Sequence, residues 1–164
     1  MVNVIRAAGV LLVLVLAGCA SNDRDKKGGI YKMVADADQA YLESRWLEAS
    51  QLYSQLTVMV PDDHYAWFRL GNTQIRQGRI DSAIYVYSEA LKRDPNHAKT
   101  HYNLAIAYML IATRSMREAS KYIRPSDPGK TIVEENLKAL QKLIDQPAEA
   151  SSDMNRLPHF GGKR

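Results

Sequence analysis

The chain has 164 residues, 46% of them apolar or aromatic, with one cysteine and a formal net charge of +4. That length gives room for one domain. So weak and dispersed a charge gives no footing for nucleic acid, and a lone cysteine excludes a disulfide within the chain.

Met1–Arg6 carries one positive side chain, and Ala7–Leu16 is an unbroken apolar run. The run is too short to span a bilayer comfortably and has the layout of a secretory signal. The plain alternative is an ordinary signal, or a weak anchor, that happens to contain Cys19. Leu16-Ala17-Gly18-Cys19 resembles the bacterial lipobox, which implies removal of residues 1–18 and lipidation of Cys19. Two or three acyl chains anchor a protein stably, each buried methylene contributing about 0.8 kcal/mol. Ala20 rather than Asp follows the cysteine, which by the same resemblance implies the outer membrane and a domain facing the periplasm. Removing Arg6 from the 22 basic residues leaves 21 against 18 acidic ones in the mature chain. Arg24–Lys27 clusters basic residues that either lie against anionic head groups, at about 1 kcal/mol per charge, or belong to a solvated linker.

Residues 19–29 are polar and end in Gly28-Gly29, so they read as a flexible tether. Helical periodicity begins near Ile30. Met33, Ala37, Ala40 and Tyr41 share one face, Ser44-Arg45 makes a turn, and Trp46, Ala49, Tyr53 and Leu56 line a returning helix that Pro61 ends. A second unit follows over residues 64–97, its turn carrying Gly78 and its end Asp94-Pro95-Asn96. Small residues Gly71, Ala83 and Ala90 sit where its two helices cross. A third unit, residues 98–123, begins with His101, Leu104, Ala105 and Tyr108 but has no Gly or Pro before Ile123. It is therefore either a hairpin with a loose turn near Thr113–Ser115 or one long, slightly bent helix. Arg124–Gly129 is a break. An amphipathic helix over 130–145, with Ile132, Leu137, Leu140 and Ile144 on its apolar face, caps the array. Residues 146–164 have few apolar anchors and read as disordered.

The units are copies. Arg45/Arg79, Ala49/Ala83, Tyr53/Tyr87, Ser54/Ser88 and Pro61/Pro95 are identical pairs 34 residues apart, the mark of a helix pair that buries its apolar face by stacking on neighbours. Trp67, Leu70, Gly71, Ala83, Tyr87, Ala90 and Pro95 resemble the tetratricopeptide repeat pattern, strongly over residues 30–97 and partially over 98–123. The resemblance implies an all-α superhelix of antiparallel helix pairs, about 2.5–3 repeats with a C-terminal capping helix, built to hold a protein partner.

Signals for other chemistry fail on their own terms. Gly129-Lys130-Thr131 ends like a phosphate-binding loop, but Arg124 stands where that loop needs a glycine and no strand precedes it. His97 and His101 are close enough in sequence to share a metal, yet no carboxylate or thiol completes the set. No nucleophile motif or paired carboxylates occur. An enzyme, a cofactor, a metal and a small-molecule substrate are not expected.

Transferring the family's groove positions gives Tyr31, Val34, Asp38, Tyr41 and Leu42 from the first unit. The second gives Tyr65, Phe68, Asn72, Ile75 and Arg76, and the third Lys99, Tyr102, Ile106, Met109 and Leu110. Of these, Asp38, Tyr41, Phe68, Asn72, Ile75, Arg76, Tyr102, Ile106 and Met109, together with Asn103, form the candidate partner-binding groove. Phe68, Asn72, Ile75, Tyr102 and Met109 are expected on one concave surface, because positions four and seven apart share a helix face. Aromatic anchors beside an Asn and an Arg have the composition of an interface hot spot, unless the last helix or the tether covers them. Asn72 and Asn103 match the two Asn of the family's carboxylate-gripping members, but Phe68 replaces the first Lys of that set. An internal or helical segment is therefore the expected guest. In compartment and size the chain resembles small pilotin and pilus-biogenesis lipoproteins, whose partners are a secretin or pilus component. The alternative is a cell-wall scaffold for peptidoglycan hydrolases or synthases.

Overall fold

The computed structural model describes residues 26–145. The proposed signal, Cys19, the first part of the tether and the 146–164 tail lie outside them. Among the described residues there are six helices and no strand: α1 (26–42), α2 (Trp46–Met59), α3 (His64–Arg76), α4 (Ile80–Arg93), α5 (Ala98–Ser120) and α6 (Pro128–Ile144). None is long and apolar enough to cross a membrane. Successive helices pack as antiparallel neighbours, giving the helix-pair superhelix that the repeat pattern implies.

The first two pairs are built alike because their turns are alike. Ser44 and Gly78 both adopt positive φ, 59° and 71°. The following N–H groups reach back five residues, Arg45 N to Ala40 O at 2.8 Å and Arg79 N to Gln74 O at 2.9 Å, which is the left-handed helix stop. Gly78 adopts this conformation freely; Ser44 does so at a cost of about 1–2 kcal/mol. The returning helices then lay a buried ridge on the preceding helix, Ala49–Tyr53–Leu56 in one pair and Ala83–Tyr87–Ala90 in the other. Ala37 and Ala40 are fully buried beneath the first ridge. At the corresponding site of the second pair, a Cβ added to Gly71 would lie 2.4 Å from the Tyr87 ring, so α3 and α4 meet more closely than an alanine permits.

The third unit settles as one helix rather than a hairpin, for two reasons visible at the same offset. Ala112 stands where Ser44 and Gly78 turn the chain, and alanine continues a helix best of all residues. The ridge positions are Arg117, Lys121 and Arg124 instead of small and aromatic residues, so a returning helix there would drive cations into a core. Ala105 and Tyr108 are consequently exposed, Tyr108 by 54%, where Ala37 and Gly71 are buried. His101 too is exposed rather than packed. Its Nε2 meets Pro95 O at 2.8 Å, copying the 3.0 Å bond from Trp67 Nε1 to Pro61 O one repeat earlier.

Two boundaries and one face differ from the sequence expectation. Residues 26–29, expected to belong to the tether, are helical. Ile30, Met33 and Val34 pack on the first core cluster, and this anchoring carries the ladder back through Gly28-Gly29. The last helix starts at Pro128, not Lys130, because Asp127 caps it by accepting from Gly129 N at 2.8 Å and proline suits a first helical turn. Ile132 is 60% exposed. The half-buried face of α6 is Val133, Leu137, Leu140 and Ile144, spaced four, three and four apart as one helix face requires. α6 packs on α5 and is tied to it by Arg117 Nη2 to Gln141 Oε1 at 3.1 Å.

Candidate functional site

Two side-chain networks lock the helix pairs together, and they occupy the same positions 34 residues apart. In the first, the Asp38 carboxylate on α1 accepts from Tyr53 Oη on α2. It also accepts from Tyr65 Oη at 2.8 and 3.0 Å and from Arg69 Nη2 at 2.9 Å, both on α3. The Arg69 guanidinium also donates to Tyr53 Oη at 2.9 Å and lies 4.1 Å from the Tyr41 ring centroid, where the ring face attracts a cation. Burial, with the adjoining Asp38 carboxylate, pushes the Tyr53 phenol far above its ordinary range. In the second network, Asn72 Oδ1 on α3 accepts from Tyr87 Oη on α4 at 2.8 Å and from Asn103 Nδ2 on α5 at 2.7 Å. Asn72 Nδ2 and Asn103 Oδ1 make no hydrogen bond among the described residues.

Between these networks lies a cavity of about 290 Å³, lined from α1 by Tyr41, from α3 by Phe68, Arg69, Asn72, Ile75 and Arg76, from α4 by Tyr87, and from α5 by Lys99, Asn103 and Ile106. The structure thus gathers Tyr41, Phe68, Asn72, Ile75, Arg76, Asn103 and Ile106 of the candidate groove around one space. Phe68 forms its wall, with its ring 6.4 Å from that of Tyr87 and 5.0 Å from that of His97. Arg76 reaches over the Trp46 ring at 5.6 Å. Arg76 and Lys99 have no carboxylate partner among the described residues, whereas Arg69 is neutralised by Asp38. The cavity therefore offers apolar walls, unused amide groups and two uncompensated cations.

Three candidate residues stand elsewhere. Asp38 does not line the cavity, because its carboxylate is spent on two tyrosines and an arginine. Tyr102 and Met109 are half-buried on α5 outside the lining. Of the expected concave set, Phe68, Asn72 and Ile75 line this cavity and these two do not, as the helix turns them past the space that Lys99, Asn103 and Ile106 face. Tyr31 and Leu42 are exposed, Val34 packs on the core, and Tyr65 serves the Asp38 network. Cys19 lies outside the described residues. Arg69 and Tyr87 line the cavity without having been expected to. The signal available for both was the pairing of positions 38, 53 and 69 with 72, 87 and 103 at the repeat offset. His97 and His101, spaced for a shared metal, face different partners: His97 the His64 ring, His101 the Pro95 carbonyl.

Residues 71–111 match the family model described as TPR repeat. A 67-residue stretch is 40% identical to the protein O-mannosyl-transferase TMTC3 of Mus musculus, covering 41% of this chain and 7% of that protein. Stretches of 63 residues are 35% identical to the peroxisomal targeting signal receptors of Eremothecium gossypii and Saccharomyces cerevisiae, covering 38% of this chain and 11% and 10% of those proteins. The chain thus spans about a tenth or less of the length of the curated relatives it matches, and the likeness is one of repeats. This repeat fold is typically a non-catalytic scaffold for protein–protein interaction.

Proposed function

We propose that the chain is an adaptor, tethered through a lipid on Cys19 to the outer membrane and facing the periplasm. It holds a segment of a protein partner in the cavity between α1, α3 and α5, and it has no catalytic activity of its own. The pathway we favour is assembly of a pilus or secretion system, supported by the resemblance to small pilotin lipoproteins. The observation that carries the binding reading is the cavity lining. Phe68, Ile75 and Ile106 supply apolar wall, while Arg76 and Lys99 are cations without an internal counter-charge. Desolvated aromatic anchors beside unspent charges suit a peptide segment that presents an apolar and an acidic side chain. Likeness to the repeat region of a targeting-signal receptor supports a protein segment as the guest.

Reversing both charges, Arg76→Glu with Lys99→Glu, tests this without touching the core, as Arg76 is exposed and Lys99 half-buried. Partner retention from envelope extracts is expected to drop by tenfold or more with helical circular dichroism unchanged. Undiminished retention by a folded double variant would move the binding surface elsewhere. Cys19→Ser is expected to abolish fatty-acid labelling and membrane fractionation, and persistent label would end the lipid-anchor reading.

A further inference from the structure

We propose that the His64–His97 pair makes the cavity acid-sensitive: charging it loosens the first turn of α5 from α3, and with it the Phe68 wall and Lys99. The proposal rests on the reading of the cavity as the partner site and names its regulation.

The geometry runs in one line from the imidazoles to the cavity. The His64 and His97 rings lie 4.8 Å apart, centroid to centroid, and His97 meets Phe68 edge-on at 5.0 Å and 77°. Phe68 lines the cavity, and so does Lys99, two residues beyond His97. His64 is the first residue of α3, and His97 is the N-cap of α5. Both rings therefore stand at helix ends, where the backbone dipole opposes positive charge. His97 Nδ1 is 2.6 Å from the hydroxyl of Thr100, which is fully buried. Protonation fixes that nitrogen as a donor, so the buried hydroxyl can then only accept from it.

The charged neighbours divide. Burial and the adjacent His64 hold the His97 imidazole below its ordinary value, and Lys99 and His101 on α5 act the same way. Asp94, at the end of α4, opposes them, and Asp63, the N-cap of α3, spends one carboxylate oxygen on Tyr65 N. With the His97 folded-state value depressed, its neutral form is secure above about pH 6.5. Stability is lost as the pH falls below that value and through the depressed one.

Amide hydrogen exchange on the full chain at pH 7.5 and 5.5, corrected for the intrinsic pH dependence of exchange, reads this directly. Protection of Thr100, His101 and Tyr102 is expected to fall about tenfold or more on acidification while the α2 amides of the first repeat hold. The double variant His64→Gln/His97→Asn is expected to lose this difference between regions. Equal protection of the α5 turn at both pH values would overturn the proposal, as would an acid response surviving in the double variant. These readouts need no partner. A cavity that binds nothing would leave them intact and sink only the functional reading.

Discussion

The junction of α1, α2 and α3 and the junction of α3, α4 and α5 use the same three positions and spend them differently. Asp38, Tyr53 and Arg69 close on one another, so the carboxylate and the guanidinium meet their counter-charge within the fold. Asn72, Tyr87 and Asn103 are neutral, and their two amides keep one group each in reserve. A charge at this depth has to be matched internally, whereas an amide tolerates an unmade hydrogen bond at the edge of a cavity. One scaffold position thus serves as a rivet in the first junction and as cavity lining in the second.

The sharpest way to break the contrast is Asp38→Ala, which strands the Arg69 guanidinium and removes the acceptor of two phenols. It is expected to cost about 2–4 kcal/mol in a urea melt, short of the full penalty for a buried pair because the Asp38 side chain is 33% exposed. Gly71→Ala comes next, at about 1–3 kcal/mol by the same melt. Its new methyl meets a Tyr87 ring that Asn72 holds in place, while the first pair already carries Ala37 at that point. Asn72→Ala, the counterpart of the first substitution, is expected to cost only about 1–2 kcal/mol, since no charge is left behind. Converting the first junction to the chemistry of the second, Asp38→Asn with Arg69→Asn, should leave stability within about 1 kcal/mol of the parent. A double-mutant cycle giving additive losses would show that Asp38 and Arg69 are not a coupled pair. At the small end, Arg114→Ala removes an exposed pair with Asp81 and should shift the melt by no more than about 0.5 kcal/mol.

Much of this was legible in the residues because repeats state their core twice. Ala49/Ala83 and Tyr53/Tyr87 announce the ridge, and Ser44 and Gly78 mark the turns that aim it. The cavity was legible where helical spacing decides, as for Phe68, Asn72 and Ile75. It was not legible where a long side chain chooses between two spaces. Asp38 has the spacing of a groove residue, but Tyr53, Tyr65 and Arg69 converge on it from two other helices, and no periodicity within α1 records that. Spacing does separate Ile132 from Val133: positions 133, 137, 140 and 144 follow the helical period, and Ile132, five residues before Leu137, falls off that face.

Repeat arrays lengthen by duplicating whole units, and a duplicate is productive only when the unit before it presents a finished face. With Ala112 in place of a turn and Arg117, Lys121 and Arg124 in place of a ridge, α5 forms no helix pair of its own, and α6 already packs on it where an added 34-residue copy would stack. Growth of this array is closed at its C-terminal side, and a longer relative would have to gain its extra units ahead of α5.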